Sequence, residues 1–175
     1  MGQQINARLA QSEGGLSIQL SFYAPTGDYS SDDFFNNGLG MWTHQFQLGT
    51  SYYPDKAKKW NVALLSTWEV HTKKGGTDIK PGPGMTLEYG IGRRMFHYLI
   101  NIGVAGSYYR KLALDSGTAI AFHDQENSIG PEFDAIMPKA HLGLTVRYEP
   151  QFEVRGRTSG QILMITLTYL GITGQ

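Results

Sequence analysis

Eight segments of this 175-residue chain alternate apolar and polar side chains, and each segment is eight to thirteen residues long. A period of two sends successive side chains to opposite faces of a β-strand, so each segment predicts a strand with one apolar and one polar face. In the first segment, Leu16, Ile18 and Leu20 alternate with Ser17 and Gln19. The predicted strands are residues 16–24, 41–53, 60–71, 85–92, 98–109, 128–137, 140–149 and 161–170.

The lengths of the connections between these strands distinguish a membrane barrel from a soluble sandwich. Alternation by itself also fits a soluble β-sandwich, whose strands bury one face and expose the other. Here, however, the predicted connections 25–40, 72–84, 110–127 and 150–160 are long, whereas 54–59, 93–97 and 138–139 are short. Long and short connections that alternate along a meander gather at opposite ends, as in outer-membrane barrels. The sequence therefore predicts an all-β, antiparallel, up-and-down transmembrane β-barrel of eight strands.

Aromatic side chains fall near the ends of the predicted strands. Amphipathic rings favour the boundary between lipid and water, so this placement predicts two aromatic girdles on the outer face. The candidates for these girdles are Trp42, Tyr52, Tyr53, Trp60, Trp68, Tyr98, Tyr108, Tyr148 and Tyr169.

Composition excludes several other classes of protein. No run approaches the ~20 apolar residues of a membrane-spanning helix, so a helical membrane protein is excluded. The formal net charge is zero, which gives no electrostatic support for nucleic-acid binding. The chain has no cysteine, which rules out disulfides and thiolate metal sites. We expect no cofactor and no bound metal, and a single barrel domain over residues 16–170, with an unassigned lead-in at 1–15 and a tail at 171–175.

One stretch of the sequence resembles a known family. Residues 22–55 contain Y-A-P-T-G-D-Y, followed by Asn37, Gly38 and Trp42 before the next strand, and this order resembles an outer-membrane β-barrel family linked to the meta-cleavage pathway of phenol degradation. EYGIGRR at 88–94, IGPEF at 129–133 and RYEPQFEV at 147–154 extend the resemblance. The resemblance implies a porin-like transporter for small aromatic or hydrophobic molecules. It also implies a parent barrel of about twelve strands, so the eight strands here indicate a shorter relative.

Strand parity sends a group of ionisable side chains to the inner face of the predicted barrel. An uncompensated buried charge is costly, so these groups need partners if the lumen is filled. One interpretation is a plug of salt bridges around the one clear inward cation, Arg147, and the other is an acidic channel lining that prefers cations. The candidate lumen-lining residues are Glu69, His71, Glu88, Glu132, Asp134, Arg147 and Glu149.

Catalysis finds little support in the sequence. His44 and Ser66 both face outward on adjacent strands, but the predicted turn pairs residue 44 with residues near 68 to 70 and separates it from Ser66. No outward carboxylate is available to orient the imidazole, as a catalytic triad requires. We therefore expect no enzymatic activity.

Two functional classes remain at this stage, and both predict a bacterial outer-membrane location with the lipid bilayer as partner. The first is a channel for passive uptake of small, aromatic or hydrophobic solutes. The second is a closed structural or scaffold barrel with a filled lumen. A third interpretation is a soluble lipocalin-like barrel, in which the apolar residues would face a ligand cavity.

Overall fold

The computed structural model describes residues 4–11, 14–32, 35–119 and 122–169. Over this part of the chain the fold is all-β, as predicted, with one short 3-10 turn at Pro138–Ala140. The described residues include no helix that is long and apolar enough to cross a membrane. The strands are β1 (Gln4–Gln11), β2 (Gly14–Tyr23), β3 (Thr43–Tyr52), β4 (Trp60–His71), β5 (Gly84–Met95), β6 (Ile100–Lys111), β7 (Gln125–Met137), β8 (Leu142–Arg155) and β9 (Gln161–Tyr169).

The strands form one antiparallel meander in which each strand pairs with its neighbours in sequence. All eight predicted strands are present, as β2 to β9. A ninth strand, β1, lies in the segment 1–15 that the sequence left unassigned, and it pairs along its whole length with β2, from Gln4 opposite Ser21 to Gln11 opposite Gly14. This ladder satisfies main-chain groups of β2 that would otherwise form an open edge. The predicted tail at 171–175 and the final residue of the last predicted strand, Leu170, lie outside the described residues.

Successive connections lie at opposite ends of the sheet because the strands are antiparallel neighbours. Three of the predicted long connections are long, at 24–42, 72–83 and 112–124. The fourth prediction, 150–160, is wrong: β8 continues through Pro150 to Arg155, and only 156–160 connect it to β9. Pro150 does not end the strand because it pairs opposite Gln161, while the next N–H, of Gln151, donates to the carbonyl oxygen of Gly160 at 3.1 Å.

The first tight turn, at 53–59, is closed by a carboxylate. Asp55 accepts hydrogen bonds from the main-chain N–H groups of Trp60 at 2.8 Å and Lys59 at 3.0 Å. These two hydrogen bonds stabilise the ionised carboxylate and hold the pKa of Asp55 below its usual value. The turn therefore fixes the position at which β4 begins.

Side-chain burial is the reverse of that in a water-soluble domain. Among the described residues, the buried apolar side chains are Met41 and Ala105, while Ser21, Ser128 and Glu149 are among the buried polar ones. We call the face that carries these polar side chains the polar face and the opposite one the apolar face. The apolar face exposes large side chains on every strand from β2 to β9, including Leu16, Ile18, Leu20, Phe46, Leu48, Val62, Leu64, Ile91, Ile102, Val104, Ile129, Tyr148, Leu163, Ile165 and Leu167.

The sheet has two edges, at β1 and β9. The described residues show no hydrogen-bonded ladder that joins these two strands, so the sheet is curved but open. Every residue of β9 is exposed.

Candidate functional site

The polar face is concave and bounds a cavity of about 600 Å³, which we call the polar cavity. Residues of seven strands line it, from Ser17 on β2 to Arg147 on β8. Strands so far apart in the sheet can share one cavity only because the sheet curls toward its polar side. The apolar side chains therefore point away from the cavity, on the convex side.

A row of small residues crosses the polar face beside this cavity. Directly opposed residues of antiparallel strands share a face, so the strand register identifies the row. With little side-chain volume, the row leaves space in the concavity. We call it the small-residue row, and it comprises Gly15, Ser51, Ala63, Gly90, Ala105 and Gly130.

The same register places every predicted lumen-lining residue on the polar face. Glu132 opposes Arg147, Asp134 opposes Thr145, and Glu69 opposes Gln45. The side chains nevertheless have very different partners.

Arg147 is the centre of a carboxylate network. Its Nε donates to Oε2 of Glu132 at 2.5 Å, and Nη1 donates to Oε1 of Glu149 at 3.2 Å. The other oxygen of Glu149 accepts a hydrogen bond from Ser128 Oγ at 2.7 Å, and Ser128 Oγ lies 2.8 Å from Ser107 Oγ. Glu149 is buried, so its charge depends on these partners. The predicted clustering of carboxylates around Arg147 is thus present for two of them.

Asp134 belongs to a second group, in which uncharged donors satisfy the carboxylate. Asn101 donates to one oxygen at 2.9 Å and Thr145 to the other at 2.6 Å. Asn61 reaches Asn101 at 3.3 Å across the position of Gly92, where a Cβ atom would collide with both amides. Glycine at 92 is therefore what allows the two amides to meet.

Glu69 and His71 lie toward the end of the sheet where the long connections lie. Gln45 Nε2 donates to Glu69 at 2.6 Å, and Thr43 Oγ1 lies 2.9 Å from His71 Nδ1. Each of these partners is the residue directly opposite on β3. Both side chains are therefore held by neutral groups.

Glu88 differs from the other inward carboxylates. Within the described part of the chain, its side chain has neither a hydrogen bond nor an ion pair, although it lines the polar cavity. Its opposed residues are Leu65 on β4 and Ser107 on β6. Leu65 cannot donate a hydrogen bond, and the Ser107 hydroxyl contacts Ser128 instead. Glu88 is thus a half-buried carboxylate that faces open space.

A cluster at the long-connection end was missed by the sequence interpretation. Lys111 Nζ lies 3.2 Å from Asp115 and 3.1 Å from Asp124, and the main-chain N–H of Gly82 donates to Asp115 at 2.7 Å. Burial raises the pKa of Asp115, but the Gly82 hydrogen bond and the Lys111 ammonium outweigh it and hold that pKa below its usual value. The cluster ties the connection 72–83 to 112–124.

Eight of the nine predicted girdle aromatics lie on the apolar face or in exposed turns. Trp68 packs against Phe46 with ring centroids 5.6 Å apart, and the Tyr98 hydroxyl donates to the carbonyl oxygen of Ala57 at 2.7 Å. Tyr53 is the exception, and its assignment to the girdle does not hold. It lines the polar cavity, and its hydroxyl accepts a hydrogen bond from Arg94 at 3.0 Å.

The outward histidine and serine do not form a catalytic pair. His44 opposes Val70, and Ser66 opposes Leu48, four residues away from His44 along β3. The His44 ring instead contacts Trp42 and Phe22. The described residues also contain no group of three or more histidine or acidic side chains placed to hold a metal ion.

Comparison with known proteins identifies the family. No curated protein and no solved structure matches the chain. A family model described as "Putative MetA-pathway of phenol degradation" matches residues 11–167, which include β2 to β8 entirely and most of β9. Since this match covers most of the 175 residues, the chain belongs to that family of proteins linked to phenol degradation.

Proposed function

We propose that the chain is a bacterial outer-membrane β-barrel channel for the passive uptake of small molecules. The observation that carries the proposal is the reversed burial, with an exposed apolar face on the convex side and a polar face around a cavity. A soluble protein rarely exposes a contiguous apolar surface this large, whereas a barrel in lipid requires one.

Aromatic placement supports the same proposal. Tyr52 and Trp60 flank the first tight turn, while Trp42 immediately precedes β3 and Trp68 lies near the far end of β4. All four are on the apolar face or at its margin. A band of aliphatic side chains between two aromatic levels fits a bilayer with two interfaces.

Closure of the sheet is part of the proposal, because lipid leaves unpaired main-chain groups unsatisfied. In a meander, β1 and β9 run in the same direction, whereas β2 and β9 run in opposite directions. Pairing between β2 and β9 would complete an antiparallel barrel of eight strands, the even number typical of bacterial barrels. In this arrangement β1 would no longer pair with β2, because β9 would occupy that edge.

Cysteine cross-linking tests this closure, and the cysteine-free sequence gives a clean background. A cysteine at Ser17 would be combined with a single cysteine scanned along β9 in the full chain in lipid. We expect an intramolecular disulfide at some of the polar-face positions Ile162, Met164, Thr166 and Thr168. The apolar-face positions Leu163 and Ile165 serve as controls. Cross-links between two copies, or none from β2 to β9, would contradict closure of this kind.

The concave polar face argues against a lipocalin-like barrel. A lipocalin places apolar side chains around its ligand. Here the cavity is lined by charged groups such as Glu88, Glu132 and Arg147, and by the amides of Asn61 and Asn101. Such a lining suits solutes that carry hydrogen-bonding groups, including hydroxylated aromatic compounds of the kind that the family description suggests.

A closed structural barrel is the second candidate function. The Arg147 network favours it, because a lumen of eight strands is just wide enough to be filled by side chains. The polar cavity and the small-residue row favour the channel instead. We give priority to the channel because glycine and alanine along the row cannot fill the lumen.

Detergent partitioning followed by bilayer recording distinguishes these functions. The purified chain should enter the detergent phase, resist unfolding in cold SDS, and give stepwise currents in a planar bilayer. A detergent-phase barrel without current would support the structural alternative. A chain that stays in the aqueous phase without detergent would refute both membrane functions.

A further inference from the structure

We propose that Glu88 is a binding site for a small monovalent cation in the lumen and sets the charge selectivity of the pore. The inference rests on the proposed channel, and it deepens it by assigning selectivity to one carboxylate. The other inward carboxylates already have partners, as the contacts above establish. Glu88 has none among the described residues and faces the polar cavity.

Charge compensation explains why the other acidic residues contribute less. Glu132 and Glu149 share the guanidinium of Arg147, so a passing cation meets a network that is already partly neutralised. Asp134 accepts a hydrogen bond on each carboxylate oxygen, from Asn101 and Thr145, and Glu69 accepts one on Oε1 from Gln45. Glu88 alone among these side chains presents both oxygens to the space beside it.

The surroundings of Glu88 leave room for the ion. Gly90 lies two residues after Glu88 on β5. It belongs to the small-residue row and opposes Ala63 on β4 and Ala105 on β6. Gly90 itself carries no side chain, and a Cβ atom there would meet its nearest neighbour, a main-chain oxygen of Val104, only at the ordinary contact distance of 3.6 Å. A hydrated cation can therefore approach the carboxylate from the cavity.

Thiol-reactive probes at Ala63 measure the charge of Glu88 without requiring a current. Ala63 is exposed, lines the polar cavity, and lies diagonally across from Glu88, at roughly 7 Å. The Ala63→Cys chain would be reacted with trimethylammonium-ethyl and sulfonatoethyl methanethiosulfonates, one cationic and one anionic, at low salt. Mass spectrometry then gives the ratio of the two rates.

Neutralising Glu88 should lower the ratio of cationic to anionic rate. A unit charge at about 7 Å in water changes each local reagent concentration about threefold in opposite directions, so Glu88→Gln should lower the ratio about sevenfold. Glu132→Gln is the matched control in the same cavity. It lies three strands from Ala63, roughly 14 Å along the sheet, and should lower the ratio no more than about threefold.

Recording in a bilayer completes the test. Under a KCl gradient, Glu88→Gln should bring the K⁺ to Cl⁻ permeability ratio close to one, with Glu132→Gln retaining most of the wild-type preference. An unchanged reagent ratio in Glu88→Gln, or an equal loss in Glu132→Gln, would overturn the assignment. If the wild type carries no current while Glu88→Gln still lowers the reagent ratio about sevenfold, the channel is refuted and the cation site at Glu88 is retained.

Discussion

The Arg147 network offers the sharpest test of how charge is held inside this fold. Arg147→Ala removes the only cation that contacts Glu132 and Glu149 among the described residues, and both carboxylates remain on the polar face. Loss of one partner from a buried ion pair costs about 3–5 kcal/mol, whereas an exposed pair is worth about 0–1 kcal/mol. The side chains of Arg147, Glu132 and Glu149 are 26%, 17% and 9% exposed, which is closer to the buried case. We therefore expect Arg147→Ala to lower the free energy of unfolding by about 2–4 kcal/mol.

A matched control comes from a second ion pair, between the connection 156–160 and β7. Arg157 lies 3.1 Å from Glu126 and is 42% exposed, while Glu126 is 14% exposed and also accepts a hydrogen bond from Gln151 that the substitution would leave in place. Water screens this pair, so Arg157→Ala should change the free energy of unfolding by less than about 1 kcal/mol. The double variant Arg147→Ala with Glu132→Gln should recover part of the loss, because one of the two uncompensated carboxylates is gone.

Unfolding by guanidinium in detergent micelles, followed by tryptophan fluorescence, gives the required free energies. The three tryptophans of the chain provide the signal. If Arg147→Ala and Arg157→Ala prove equally mild, or if the double variant is less stable than Arg147→Ala, then Arg147 does not hold the carboxylates as described.

Three further measurements address the faces, the first turn and the sheet contacts. Ile102→Arg, on the apolar face, should destabilise the chain in lipid by about 2–4 kcal/mol, whereas Thr145→Arg on the polar face should be tolerated; equal losses would contradict the assigned faces. Because the folded state lowers the pKa of Asp55, its ionised form stabilises the fold above pH ~4 and that stabilisation is lost as the pH falls through the folded pKa, so Asp55→Asn should flatten the acid limb of a stability profile. Gly130→Ala should cost about 1–3 kcal/mol because its Cβ would collide with a main-chain oxygen of the neighbouring strand, whereas Gly90→Ala should be nearly neutral in the same unfolding assay.

Strand parity is the part of the fold that the sequence predicts well. The alternation of Leu16, Ile18 and Leu20 with Ser17 and Gln19 assigns faces without any knowledge of partners, and the observed register agrees. Parity also places Arg147 and its carboxylates on one face. These are consequences of a fixed two-residue period, so they depend only on local sequence.

Contacts between strands are harder to predict because they depend on register. Nothing local indicates that Glu132 and Glu149 contact Arg147 while Glu88 stays unpaired, since a shift of two residues would keep every face and change every partner. Tyr53 was misassigned because its place beside the first tight turn was given more weight than its parity, which it shares with Ser51 on the polar face. The predicted strand 140–149 stopped before Pro150, yet β8 continues through this residue, which pairs opposite Gln161.

In the eight-stranded barrel proposed above, the small-residue row would determine how much of the lumen stays open. A barrel of eight strands has an interior that ordinary side chains fill, and Arg147 with its two carboxylates occupies part of it. The row of Gly15, Ser51, Ala63, Gly90, Ala105 and Gly130 crosses six strands at one level and contributes almost no side-chain volume there. In that barrel, space would therefore remain beside the charged network, where Glu88 lies two residues from Gly90 along the same strand. A filled lumen would need large side chains at this level, and the chain places its smallest residues there instead.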